Sequence, residues 1–141
     1  LKREDGYALQ TEREWWMFSQ CKDGELSVTF CDLGAGIPRT LPLTHPKVWS
    51  RFLLLGRNLD SHAIEYSVRD SVSRTKRDYR GKGLGQIVRF VDAVTGGRVV
   101  VFSNRGVYFR EGIRQRRMDF KDSILGTMIH WKFPLQQPET T

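Results

Sequence analysis

The sequence predicts an α+β domain: a two-layer α/β sandwich on a mixed, mostly antiparallel sheet. Three observations carry that expectation. Aromatic and β-branched runs at 14–20 and 25–31 flank an Asp23-Gly24 pair and read as a hairpin. Helical spacing then dominates from Pro46 to Val94. Three more strand-like runs close the chain. Hairpins imply antiparallel neighbours, and helices grouped between them would cover one face of the sheet.

In chain order, residues 1–13 are polar and charged and read as an N-terminal arm. The domain proper spans 14–134, and 135–141 is a polar tail. The Asp23-Gly24 turn sets Cys21 opposite a residue near Leu26, so Cys21 and Cys31 do not face each other. With no metal-ligand spacing, both read as free thiols in a reducing cytoplasm. Pro38, Pro42 and Pro46 mark a loop. A helix follows over about 46–55, with Pro46 near its first position and Gly56 after it. Asp60 or Ser61 can cap a second helix, whose Ala63, Ile64, Ser67, Val68 and Val72 share a face. Leu84, Ile87, Val88, Val91 and Val94 repeat at helical spacing until Gly96-Gly97 stop them. Strands are expected at 98–104, 106–111 and 125–133, with a tight turn at Asn104-Arg105-Gly106. The polar stretch from Gly112 to Ser123 reads as an excursion.

The composition fits one folded domain: 141 residues, 39% hydrophobic and 11% aromatic. No apolar run reaches the roughly 18 residues of a membrane span, and no signal-peptide pattern opens the chain. The first residue is Leu1, which suggests a fragment whose upstream residues hold part of the function. The net charge of +7 suits an anionic partner.

Two glycine clusters suggest chemistry. At 81–85 the sequence Gly-Lys-Gly-Leu-Gly runs into a helix. Such a junction offers unpaired N–H groups at the positive end of the helix dipole, which suits a phosphate. A flexible linker before a helix is the alternative. The cluster matches neither the P-loop nor the dinucleotide fingerprint, whose third glycine would fall at Gln86. The other cluster, Asp32-Leu33-Gly34-Ala35-Gly36-Ile37-Pro38, ends an apolar strand in a carboxylate, which taken alone reads as a turn or capping acid.

Those two motifs and a late Gly126-Thr127, in that order and spacing, resemble the GHKL ATPase family, which includes DNA gyrases and histidine kinases. The resemblance spans residues 15 to 134 and implies the Bergerat fold. It implies that Asp32 accepts a hydrogen bond from the adenine amino group, that Gly34 and Gly36 let the backbone pass under the base, and that Ile37 packs on it. Gly81, Lys82, Gly83, Leu84 and Gly85 would contact the phosphates, and Thr127 would steady Asp32. ATP is the implied ligand. Mg²⁺ would join it only with an upstream Asn, because the family's E-x-x-x-N helix has no counterpart here. No catalytic residue or metal ligand is assignable. The chain as given is expected to be catalytically inactive and to bind ATP weakly or not at all, becoming an ATPase or kinase if that helix is supplied.

The branch most resembled is that of bacterial histidine kinases and anti-sigma kinases, which implies cytoplasmic signalling through a regulatory protein partner. The rival reading keeps the fold as a basic module that contacts nucleic acid or protein. Two basic runs bear on it. Arg74, Lys76, Arg77, Arg80 and Lys82 correspond to the family's ATP lid. Arg110, Arg114, Arg116 and Arg117 read as a solvated cluster without an aromatic ladder, Tyr108 and Phe109 being taken as ordinary sheet residues. His45, His62 and His130 lack ligand spacing. His62 is a conceivable phosphoacceptor, but no helical hairpin carries it.

Overall fold

A computed structural model describes residues 14–57, 59–73 and 82–136. Six strands and four helices appear among them: β1 (Trp15–Lys22), β2 (Glu25–Asp32), α1 (Ile37–Thr44), α2 (Pro46–Leu54), α3 (Asp60–Ser73), α4 (Lys82–Ala93), β3 (Arg98–Ser103), β4 (Gly106–Glu111), β5 (Arg114–Asp119) and β6 (Thr127–Pro134). The class is α+β. The sheet order is β1-β2-β6-β3-β4-β5, and every described pairing is antiparallel. The mixed sheet expected from the sequence is therefore corrected. β2 and β3 do run in the same direction, but β6 lies between them and pairs antiparallel with both.

Local sequence explains most elements. Asp23 and Gly24 take φ of 53° and 73°, the left-handed pair that closes a two-residue hairpin. That turn sets Cys21 against Leu26 and Cys31 against Trp16, so the thiols stay apart and both are free. On α3 and α4 the apolar stripe buries Ile64, Val68, Val88 and Val91 against Val99, Val101 and Tyr108 of the sheet. Each such aliphatic side chain contributes about 1.5–3 kcal/mol by leaving water.

Two elements depart from expectation. The stretch read as a Pro-rich loop contains α1. Pro38 occupies the first turn, where its missing N–H costs nothing, and Pro38 and Leu41 are buried. Packing of α1 against α3 outweighs the break that Pro42 would impose on an isolated helix. The polar excursion contains β5. Its Arg114-Gln115-Arg116-Arg117 sequence hides the strand from hydropathy, yet such residues suit an edge that must resist pairing with other chains.

The N-terminus of α3 is capped from across the chain. The Asp119 carboxylate on β5 accepts the Ser61 N–H at 2.9 Å and also the Ser61 hydroxyl. Asp60 instead accepts the Arg105 backbone N–H at 2.9 Å. Neither expected cap residue serves its own helix by the usual local bond, and α3 is thereby fastened to the β4–β5 end of the sheet.

The sheet has two unlike faces. The helices cover the face that carries Val99, Val101 and Ser103, with Tyr108 and Ile129 beside them. Alternation sends Val100, Phe102, Phe109, Met128 and His130 to the other face, where all are half-buried. No described helix lies on that side.

Candidate functional site

One end of the sheet gathers the residues singled out by sequence. Asp32 ends β2, Thr127 begins β6 and Ser103 ends β3. Register places Asp32 opposite Thr127, and Thr127 opposite Ser103. Paired residues share a face, so the three form one row on the helix-covered side. Asp32 is half-buried, whereas Thr127 and Ser103 are buried.

The loop from Asp32 to Ile37 is closed by specific bonds. The Gly34 N–H donates to Asp32 Oδ1 at 2.8 Å. The Ile37 N–H donates to Ser103 Oγ at 2.8 Å, and Asn104 Nδ2 donates to the Ala35 carbonyl at 3.1 Å. Ser103 Oγ also lies 2.9 Å from Thr127 Oγ1 and 3.4 Å from the Gly126 carbonyl. Ser103 has one proton. When it points to Gly126, Thr127 donates to Ser103, and the Thr127 hydroxyl then offers its lone pairs elsewhere. The resemblance pairs Thr127 with Asp32; here its hydroxyl bonds to Ser103 while it stands beside Asp32 in register.

Gly36 has φ 83° and ψ 156°, a conformation that is almost confined to glycine. A Cβ there would also meet the Asn104 side chain at 2.6 Å. Ile37 opens α1 and packs against the core cluster, as do Phe30 and Leu84.

The second glycine cluster is not a free loop over its described part. Lys82, Gly83, Leu84 and Gly85 form the first turn of α4. Gly85 is buried where a Cβ would collide with the Ser71 carbonyl of α3, while Gly83 faces open space. Gly81 and the run Arg74, Lys76, Arg77, Arg80 lie outside the described residues, as does the Lys82 side chain. α4 leads through a short turn into β3 at Arg98. Phe90, near its C-terminal end, packs edge-on against Phe133 at 4.9 Å. At its other end Gly85 lies against Ser71 in the last turn of α3, whose first turn instead adjoins Gly106 and Asp119. The first-turn N–H groups of α4 have no intrahelical acceptors.

Ser103 and Asn104 are the residues that sequence reading missed. The Asn104 turn was visible as a hairpin connection. Its role in holding the 32–37 loop follows from β3–β6 pairing across about two dozen residues, which leaves no local signal.

The other candidates are dispersed. Arg110 makes a two-point ion pair with Asp92 at 2.7 and 3.0 Å, and that bond raises its pKa. Arg117 pairs with Glu65 at 3.0 Å. Arg114 and Arg116 lie on the other face, so the second basic run is not one cluster. His62 Nδ1 accepts the Leu59 N–H at 3.3 Å, and burial lowers its pKa against the pull of Asp119 and Glu65. His130 bonds to Thr29 at 2.8 Å, and burial lowers its pKa too. Among the described residues, no three His, Cys, Asp or Glu side chains gather as a metal site, and no helix is long and apolar enough to cross a membrane.

Comparison of the chain with family models, curated proteins and solved structures finds no match.

Proposed function

We propose that this chain is the adenine-nucleotide-binding domain of a GHKL-type signalling protein, with the Bergerat fold, related to histidine kinases and anti-sigma kinases. The observation that carries the reading is the row Asp32–Thr127–Ser103 beneath a hydrogen-bonded glycine loop. A carboxylate offers about four acceptor positions, and Gly34 takes one. The remainder can accept the exocyclic amino group of adenine. Guanine presents a carbonyl there, which the carboxylate repels. Gly36 keeps the loop clear of a Cβ, and Ile37 supplies an apolar floor. The first-turn N–H groups of α4 suit the phosphates. Mg²⁺ finds no cluster of three acidic, His or Cys ligands among the described residues, so no reaction step is assigned to it. The reading extends to cytoplasmic signalling through a regulatory protein partner.

The test is titration with ATP, ADP and GTP, followed by tryptophan fluorescence and melting temperature. ATP and ADP should bind in preference to GTP. Asp32→Asn should weaken ATP by about 10- to 100-fold, the value of one hydrogen bond to a charged group. Equal binding of GTP, or no loss in the variant, would remove Asp32 from the role. Residues 1–141 should bind nucleotide weakly and without turning it over, and sustained Mg²⁺-dependent hydrolysis would refute that part.

A further inference from the structure

We propose that the open face of the sheet, opposite the helices, binds single-stranded nucleic acid. The proposal does not depend on the nucleotide reading, because the two surfaces lie on opposite sides of the sheet.

Two rows cross this face. One runs Trp16–Cys31–Met128–Phe102–Val107–Met118 and touches all six strands without a polar side chain other than a thiol. The next runs Phe18–Thr29–His130–Val100–Phe109–Arg116. In the second row a ring stands on every other strand, ~10 Å apart, and the row ends in a guanidinium. Each row spans ~24 Å. Trp16 is 40% exposed and Phe18 62%. A monomer rarely leaves so continuous an apolar surface without using it.

Charge selects the occupant. Lys22, Arg98, Lys132, Arg114 and Arg116 fall on this face by alternation, against Glu25 and Glu111. Glu25 already holds Lys132 at 2.7 Å and Arg98 at 3.1 Å. A second copy laid face to face would bring one cationic set onto the other, with few carboxylates to offset it. A polyanion gains from the same set. A row of rings flanked by a row of cations further suits a chain that carries both flat bases and phosphates. Every base has a π-face, so such a platform tolerates sequence. The bonds that orient His130 support this use, since Thr29 fixes the ring at 2.8 Å. Tyr108 points to the core, whereas its neighbour Phe109 stands in this platform, a distinction that only the register supplies.

The test is fluorescence anisotropy of the full chain with a fluorescein-labelled oligothymidylate of about 20 nucleotides. Binding should appear at about 50 mM salt and weaken steeply by about 200 mM. Phe18→Ala should weaken it by about tenfold with an unchanged salt slope, because only stacking is lost. Arg116→Gln should lower the slope by about 0.7. Circular dichroism of both exposed-site variants should show the wild-type fold. Asp32→Asn should leave oligonucleotide binding intact, and Phe18→Ala should leave ATP binding intact. No binding at the lower salt would overturn the proposal and return the face to a protein partner. Heparin bound as tightly as the oligonucleotide, with no effect of Phe18→Ala, would reduce it to unspecific charge. A dimer in sedimentation that Phe18→Ala dissociates would give the face to a second copy. Loss of oligonucleotide in Asp32→Asn would place it in the nucleotide site instead.

Discussion

The segments 32–37 and 82–85 are both rich in glycine, yet glycine serves them differently. In the first, Gly36 holds a backbone conformation that residues with a Cβ avoid, and the loop around it is tied to Ser103 and Asn104. In the second, the backbone is helical, and Gly85 lets α4 lie against the Ser71 carbonyl of α3. One glycine sets the path of a loop. The other sets the distance between two helices. A glycine-rich motif is therefore not one signal: the same letters answer a dihedral demand in one place and a packing demand in another.

Gly36→Ala should have the largest effect. It combines a glycine-only φ/ψ with a Cβ 2.6 Å from a side chain that is itself hydrogen-bonded. The strain is about 3 kcal/mol, which lowers the melting temperature by about 10 °C in a domain of this size. Nucleotide binding should fall as well, because the loop carries Ile37 and borders Asp32. A variant that melts like the wild type would show that the loop relaxes freely, and the contrast between the two segments would fail.

Gly85→Ala should destabilise by a smaller amount, about 2 kcal/mol. Overpacking against the Ser71 backbone costs about 3 kcal/mol, the upper end of the usual range, and the better helix propensity of Ala returns about 1 kcal/mol. The loss should appear in thermal or urea unfolding. A Ser71→Gly change cannot relieve it, because the collision is with the backbone carbonyl. A stabilised Gly85→Ala would mean that α3 and α4 stand farther apart, and the role given to this glycine would be withdrawn.

Sequence reading succeeded where a demand is local. The Asp23-Gly24 hairpin, the stripes of α3 and α4 and the alternation of β3 and β4 are each written within a few residues. It failed where a demand is tertiary. α1 forms through buried Pro38 and Leu41 despite Pro42, and β5 forms as an edge through pairing of Tyr108 with Arg117 and Phe109 with Arg116. The site divides in the same way. Asp32, Gly34, Gly36 and Thr127 could be named in advance as a motif. Ser103 and Asn104 could not, since β3–β6 register brings them to the loop. Nor could sequence show that Phe109 joins Phe18 and His130 on one face, because that depends on the strand order across the whole sheet.

Gly83→Ala gives the smallest effect and the sharpest separation. A Cβ at Gly83 meets nothing within 4 Å, and the residue lies in the first turn of α4. Helix propensity alone makes Ala better there, by up to about 1 kcal/mol and less so near a helix end. The variant should therefore melt slightly higher. Packing gives glycine no advantage at this position, so any advantage must come from a ligand that approaches the backbone closely. If phosphates sit on these N–H groups, Gly83→Ala weakens ATP and leaves adenosine unchanged while stability rises. If affinity for ATP and adenosine moves together or not at all, the helix start has no such role, and Asp32 alone would carry the nucleotide reading.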